Sequence, residues 1–476
     1  MNYIKEDTPE IVRSPQDVIN LISQNPLARS GLLVMISLGG VLIDAYQSAM
    51  IGFGNKYIAA EFGLSPGLTA TVNASVIVAA LFGGLLSNRV INLFGQRFAF
   101  VIGLGMCSLG SVAVSFVPDI WWLLACRIVM GLGLGIDFPL AASAIAEFRG
   151  TASKKSGTSV NLWQMVWYIS TTIVYLVLLT LYFSSIADEA LWRYGIFIGA
   201  IVAMVVILLR LIFIGESAVW AARVGKYALA CKILRERYGV KAEPGTQQIS
   251  QQVEPKKNVK GAYRMIFNKK YRSRTLIGSV VSVMQAWQYG AVGLYLPLTL
   301  ASILEGGLSG ALAGSAAVNA FCGISGGAIG SIILTRFGAR YLSMVGFAVV
   351  TVALVALGFW PQVSSWLSLS LLGAIIFFHS AGPGGLGMTI ATLSYPPSIR
   401  LAGIGFVRGV MRLGGIAGLI FWPMLWGALN TDAFFLLAVI PFIGCVVCKL
   451  IKWEPVGSNV DAEDEDVLQQ LGQRQQ

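Results

Sequence analysis

Residues 131–148 read GLGLGIDFPLAASAIAEF, and Asp137 is the one charged side chain there before Glu147. A second isolated acid, Asp44, sits in VLIDAYQSAM. At the centre of a bilayer an ionised side chain costs from about 2.5 to more than 10 kcal/mol, so such residues are kept for a cavity, a partner or a proton path. A carboxylate that meets a guanidinium in only one conformation can take up and release a proton. Arg127 is the candidate guanidinium. At about 1.5 Å per residue, its depth lies within a side-chain length of Asp44 and about 15 Å from Asp137. Asp44, Asp137 and Arg127 are therefore the proton-coupling candidates, with Asp137 expected to bind a proton or face the substrate. The competing reading is a permanent ion pair that only fastens two helices together.

Other polar groups sit where they could meet a solute. Asn161, Gln164 and Tyr168 recur at i, i+3 and i+7 and share one helix face. Gln285 and Tyr289 make an i, i+4 pair, and Trp163, Trp167 and Trp287 could stack on a ring. Interhelical hydrogen bonding is the competing reading for the polar groups, and packing for the tryptophans. Arg408 and Arg412 lie one turn apart. With Arg127 they outnumber the two buried acids, and an anionic substrate would offset the excess because guanidinium binds carboxylate in two-pronged fashion. Arg408 could instead reach out to the membrane surface. His379, the single histidine, precedes SAGPGG and a helix break at Pro383. It could move protons or touch substrate, or simply pack.

These residues need apolar elements to hold them. The 476-residue chain is 56% hydrophobic and 12% charged, with mean hydropathy +0.72, against about a quarter charged for soluble chains. Twelve runs reach the roughly 20 residues a helical span needs: about 31–53, 67–88, 97–117, 119–147, 156–183, 191–214, 274–299, 310–334, 341–360, 365–393, 400–428 and 432–452. They are too long and continuous for barrel strands. The expected fold is an all-α membrane protein with twelve transmembrane helices in two pseudo-symmetric six-helix halves. Residues 1–30 form an N-terminal segment, with a short amphipathic helix capped by Ser14. Residues 31–214 form the first half, 215–273 a linker, 274–452 the second half, and 453–476 an acidic, Gln-rich tail expected to be disordered.

Charge sets the orientation. With the N-terminus inside, Arg89, Arg97, Arg149, Lys154, Lys155, Arg336, Arg340 and Arg400 fall in inside loops, as does the basic linker. Only Lys56 and Arg193 fall outside. That asymmetry places both termini in the cytoplasm, and a bacterial cytoplasmic (inner) membrane is the expected location. The net charge of +11 then belongs to these loops, not to nucleic-acid binding. Cys445 and Cys448 form a C-x-x-C inside an apolar run and read as packing. No Walker loop, metal cluster or nucleophile–base arrangement is present, so neither an enzyme nor a metal or cofactor is expected, and a proton gradient is the expected energy source.

NLFGQR, Asn92 to Arg97, echoes TRFGAR, Thr335 to Arg340, at equivalent turns of the two halves. Such repeats place a transporter's site at their interface. With them, the chain resembles the major facilitator superfamily over nearly its whole length. NLFGQR is similar to the family's D-R-x-G-R-R turn, with Asn92 for the acid and Gln96 for an arginine. Arg127-I-V-M-Gly131 to Gly135 with Glu147-F-Arg149-Gly150, GESAVW from Gly215, and YPPSIRLAGIGFVRGVMRLGG from Tyr395 resemble patterns of sugar porters and metabolite:proton symporters. The resemblance implies conformational gating by Asn92, Gly95, Arg97, Glu147, Arg149, Glu216, Gly338, Arg340 and Arg400. GIDFPLAASAI and IDAYQSA resemble the phosphate:proton symporters, which implies proton coupling at Asp44 and Asp137. Gln47 and Gln285 replace two of that branch's aspartates, so phosphate is not the expected substrate.

The substrate candidates are then Gln47, Asn161, Gln164, Tyr168, Gln285, Tyr289, His379, Arg408 and Arg412. The expected function is proton-coupled symport of a small organic metabolite, an anion such as an organic acid, by alternating access. The alternative is a proton-antiporting exporter of drugs, metabolites or metal chelates. A non-transporting sensor on the same fold is the third possibility. The expected partners are the solute, protons and the lipid bilayer, with a monomeric protein.

Overall fold

The computed structural model describes residues 9–25, 30–149, 155–245, 261–301, 307–359, 365–458, 460–463 and 466–467. Ten of its helical stretches are long and apolar enough to cross a membrane. The difference from twelve has two local causes. The stretch Ala402–Leu450 spans successive helices, Pro397–Leu429 and Ala433–Leu450, that turn at Asn430. The helix Arg272–Val292 carries Gln285, Gln288 and several serines, so its composition is too polar to qualify. With both counted, the described residues give two halves of six helices.

The first span runs through Ser30–Ser37 and Gly39–Glu61. The second and third form Pro66–Ser115, turning at Gly95. Ile120–Arg149, Lys155–Phe183 and Leu191–Phe213 complete the first half. The second half opens with Arg272–Val292 and Leu296–Ala301. Its eighth span joins Gly307–Val318 to Ser325–Phe337 through a wide π-helical turn. Ala339–Phe359 follows, then a tenth span broken into Ser365–Ala381 and Pro383–Leu393, as the proline requires. Pro397–Leu429 and Ala433–Leu450 are the eleventh and twelfth. Each half has an apolar core mainly of its own residues, with Tyr168 of the first half reaching into the second half's core and Leu312 and Ala316 of the second half into the first's. A further cluster joins Val34, Leu38 and Trp163 of the first half to Met388, Val407 and Met411 of the second.

The repeated turn is built twice with the same parts. Gly95 has φ 84° and Gly338 φ 82°. In the first half Glu216 accepts from the backbone N–H of Gln96 at 2.7 Å and of Arg97 at 3.4 Å, while the Arg97 side chain donates to the Leu211 carbonyl. In the second half Glu454 accepts from Ala339 and Arg340, both at 2.9 Å, and the Arg340 side chain donates to the Cys448 carbonyl. Each carboxylate follows its own half's last helix. Gly95 also has ψ 168°, a conformation only glycine adopts readily. Gly95→Ala is therefore expected to cost about 1–3 kcal/mol, read as a lower Tm of the purified protein.

Two terminal segments pack on that end of the bundle. Strand Glu10–Val12 pairs in parallel with Ala242–Pro244 of the linker. The helix Pro15–Gln24 carries the expected cap, with Ser14 and Asp17 exchanging side-chain to backbone hydrogen bonds. Val12, Val18 and Ile22 bury against Ala218, Cys231 and Leu234.

The described residues of the tail, 453–458, 460–463 and 466–467, are ordered against the second half where disorder was expected; 468–476 lie outside the described residues. Trp453 donates to Ser394 and lies 3.9 Å from the Arg274 guanidinium. Arg274 and Tyr271 both donate to Glu463 at about 3 Å, and Val460 and Val467 are buried. An aromatic anchor and one paired carboxylate outweigh the polar composition that surrounds them. Burial works to raise the Glu463 carboxyl. The hydrogen bonds from Arg274 and Tyr271, with the charges of Arg274 and Lys270, outweigh it and hold the group below the usual carboxylate range. The attachment is therefore complete at neutral pH and is lost as pH falls through the folded value. Glu463→Gln should loosen residues 453–467 at neutral pH by about 1 kcal/mol, roughly fivefold in the opening equilibrium. Hydrogen exchange of that segment measures it.

Candidate functional site

The two halves enclose a cavity of about 120 Å³. First, second, fourth and fifth spans line it from one half, and the seventh, tenth and eleventh from the other.

Its charged groups come from three helices. Asp44 is 7% exposed and lies near the middle of the first span. Arg412 of the eleventh span donates to it through both Nη atoms, at 2.7 and 3.4 Å. Arg408, one turn earlier, approaches the same Oδ2 at 3.5 Å while its guanidinium lies over the Phe138 ring. Arg127 also lines the cavity, but it donates to the Val72 carbonyl at 2.9 Å. The expected Asp44–Arg127 pair is thus replaced in this conformation by a pair across the two halves. All three arginines line the same cavity as Asp44, and the facing helix decides which one meets the acid. Among the described residues, the lining holds three guanidinium groups and one carboxylate. Four of its buried polar atoms have no partner: Gln47 Oε1, Asn73 Oδ1, Arg127 Nη1 and Arg408 Nη1.

The neutral wall is aromatic and amide. Gln47, Gln164, Gln285, Tyr289 and His379 face the cavity, as do Trp163 and Trp167. Tyr289 stacks on His379 with centroids 5.1 Å apart and accepts from the Trp167 indole at 2.8 Å. His379 Nε2 meets Gln285 Oε1 at 3.1 Å, and Nδ1 meets the Tyr168 hydroxyl at 3.0 Å. With Gln285 accepting, Nε2 carries the hydrogen and Nδ1 accepts from Tyr168. Both ring nitrogens are then engaged with neutral groups, which positions His379 as part of the wall.

Some candidates lie behind this wall. Tyr168 supports His379 from outside the lining, and Asn161 donates to Ser331 of the eighth span at 3.0 Å. Asn161 and Tyr168 therefore join the halves instead of meeting a solute directly. Asp137, 2% exposed, does not line the cavity. It forms a salt bridge with Arg210 of the sixth span. Arg210 also donates to the carbonyls of Ile36 and Ser37, freed where the first span breaks at Leu38, and sits over the Phe100 ring at 4.2 Å. A Cβ on Gly40 would collide with the Asp137 carboxylate. The expectation that Asp137 faces the substrate is corrected on this ground: its carboxylate fastens four helices of one half.

Among the gating candidates, Gly95, Arg97, Glu216, Gly338 and Arg340 form the paired turns. Arg400 donates to the Tyr395 carbonyl at 2.9 Å. The side chains of Asn92, Glu147 and Arg149 lie outside the described residues. Sequence reasoning passed over Arg210, Glu454 and Asn73. Arg210 ends an apolar run and reads as a boundary residue. Glu454 was legible, since it stands just past the twelfth span as Glu216 stands past the sixth.

A family model described as sugar (and other) transporter matches residues 32–462. The inner membrane metabolite transport protein YgcS of Escherichia coli (strain K12) is 26% identical, over 89% of this chain and 91% of its own. The niacin transporter NiaP of Acinetobacter baylyi is 22% identical, over 84% and 88%. Among solved structures, the xylose transporter XylE from E. coli in a partially occluded inward-open conformation aligns with TM-score 0.72 and 20% identity. It covers 90% of this chain and 98% of that one.

Proposed function

The chain belongs to the sugar (and other) transporter family of the major facilitator superfamily, a family of transporters and not of enzymes, and on that premise we propose that it is a proton-coupled symporter of a small organic anion, with aromatic carboxylates as the favoured class. The observation that carries the reading is the excess of guanidinium over carboxylate in the cavity, three against one among the described residues. An anion offsets that excess, and arginine is the side chain best shaped to hold a carboxylate. The unpartnered atoms supply both donors and acceptors. Trp163, Trp167 and Tyr289 offer ring faces and edges for an aromatic solute. Niacin, a pyridine carboxylate carried by one relative, has this chemistry.

Asp44 is the coupling carboxylate in this reading, since it lines the cavity and its partners belong to the opposite half. The energy source is the proton gradient, without a cofactor. The protein works as a monomer in a bacterial cytoplasmic membrane, with both termini inside. The test is uptake by proteoliposomes with an imposed inward proton gradient. Nicotinate, benzoate and gallate are offered beside nicotinamide, xylose and arabinose. The expected result is accumulation of at least one acid above its outside concentration, abolished by a protonophore. Accumulation of a neutral sugar and of none of the acids would overturn the substrate class. Proton-driven efflux in place of uptake would make the protein an exporter.

A further inference from the structure

Two guanidinium groups of the eleventh span converge on a single carboxylate. Arg412 grips Asp44 with both Nη atoms, and Arg408 reaches the same Oδ2. Neither arginine is sealed off: their side chains are 15% and 14% exposed, and both line the cavity. Asp44 therefore occupies the very donors that a substrate carboxylate would need. The pair also crosses from one half of the transporter to the other.

We propose that Asp44 is a built-in competitor of the substrate: its ionised carboxylate holds Arg408 and Arg412 in the empty site, and its protonation releases them to a substrate carboxylate. This rests on the reading of the substrate as an anion. Donor occupancy and charge together are the physical reason. In the empty site one carboxylate faces two guanidinium groups. In the site holding both proton and substrate, Asp44 is neutral and the substrate supplies the carboxylate, so the total is unchanged. A proton alone leaves both guanidinium groups without a carboxylate, an uncompensated charge that is strongly unfavourable in a closed, dry cavity. The substrate alone would lower the net charge, but it finds the donors already held by Asp44 and binds weakly. Tight binding and closure therefore need proton and substrate together, which is the requirement for symport.

The other ionisable neighbours leave this assignment in place. Arg127 lines the cavity but is turned to the Val72 carbonyl, and His379 and Tyr289 are tied into the wall. Within the half that holds Asp44, Cys107 is buried and the Asp137 carboxylate is occupied by Arg210.

The experiment is titration calorimetry of the purified full-length protein with nicotinate, benzoate and gallate, and with nicotinamide and benzamide as neutral controls. Each titration is run between pH 5.5 and 8 in two buffers of different ionisation enthalpy. The wild type is expected to take up about one proton per acid bound where Asp44 is ionised, and none with the amides. Asp44→Asn should bind the acids about tenfold more tightly or better under those conditions, with no proton uptake and no pH dependence. Acid binding without proton uptake by the wild type, or with the same uptake by Asp44→Asn, overturns the competition while leaving the anion reading intact. Binding of the amides and of none of the acids overturns both. The wild-type measurement decides the matter even if the variant does not fold.

Discussion

Replacing Arg210 by methionine is expected to destabilise the protein by about 3–5 kcal/mol, the largest stability effect of any single change considered. Asp137 would be left without its charge partner in a site where it is 2% exposed, with the loose ends of the first span's break no longer bonded. Asp137→Asn should cost a similar amount, because it strands the Arg210 guanidinium instead. The double variant Asp137→Leu with Arg210→Met should recover most of the loss, since apolar replacements of a buried pair are often neutral or better. Thermal unfolding in detergent micelles reads all four proteins, and the departure from additivity measures the pair. The double variant separates two roles for Asp137. If the acid only fastens helices, the recovered protein accumulates its solute with a proton gradient as the wild type does. If it relays the proton, the recovered protein is stable and uncoupled. The geometry favours the first outcome, because both partners lie within one half and away from the cavity.

Arg412→Lys is the second large effect. Lysine keeps the charge and loses the two-pronged geometry that Arg412 directs at a carboxylate. Removing one partner of a buried, hydrogen-bonded charge pair costs roughly 2–5 kcal/mol, so binding of nicotinate or benzoate should weaken about 30-fold or more. Nicotinamide binding should stay nearly constant in both proteins. Arg408→Lys should act in the same direction but more weakly, because Arg408 stands 3.5 Å from the acid and is also held by the Phe138 ring. Equal losses for acid and amide would show that Arg412 shapes the cavity without reading charge. Competition binding with radiolabelled nicotinate in detergent gives both constants.

The helices were legible because hydropathy reports burial in lipid directly, and the two halves because Asn92 to Arg97 repeats in Thr335 to Arg340. Most cavity groups were legible for a related reason. A polar residue in an apolar run, such as Gln164, Gln285 or Arg412, has to point at something polar. Partner choice was the part that could not be read. Depth along a helix says that Asp44 can reach an arginine at its own level, and several are there. Which one it meets depends on how the halves face each other, and no local pattern encodes that. Asp137 shows the converse limit. Its environment is set by Arg210, 73 residues away, and by a break in the first span that apolar sequence does not announce. The start of the tail was misread because composition averages over residues, whereas Trp453, Glu454 and Glu463 act one at a time.

The pairing of Glu10–Val12 with Ala242–Pro244 gives each half its own fastenings. Among the described residues, the N-terminal strand and helix are tied by Ala242–Pro244 and by Ala218, Cys231 and Leu234, and Glu454 and Glu463 tie the far end of the chain to the second half. A protein expressed as two polypeptides, divided between Gly245 and Gly261, would keep both sets intact on their own fragments. Co-expression of the pieces should then reconstitute uptake by assembly in the bilayer, whereas moving the cut to precede Ala242 should weaken it by taking the strand from its mate.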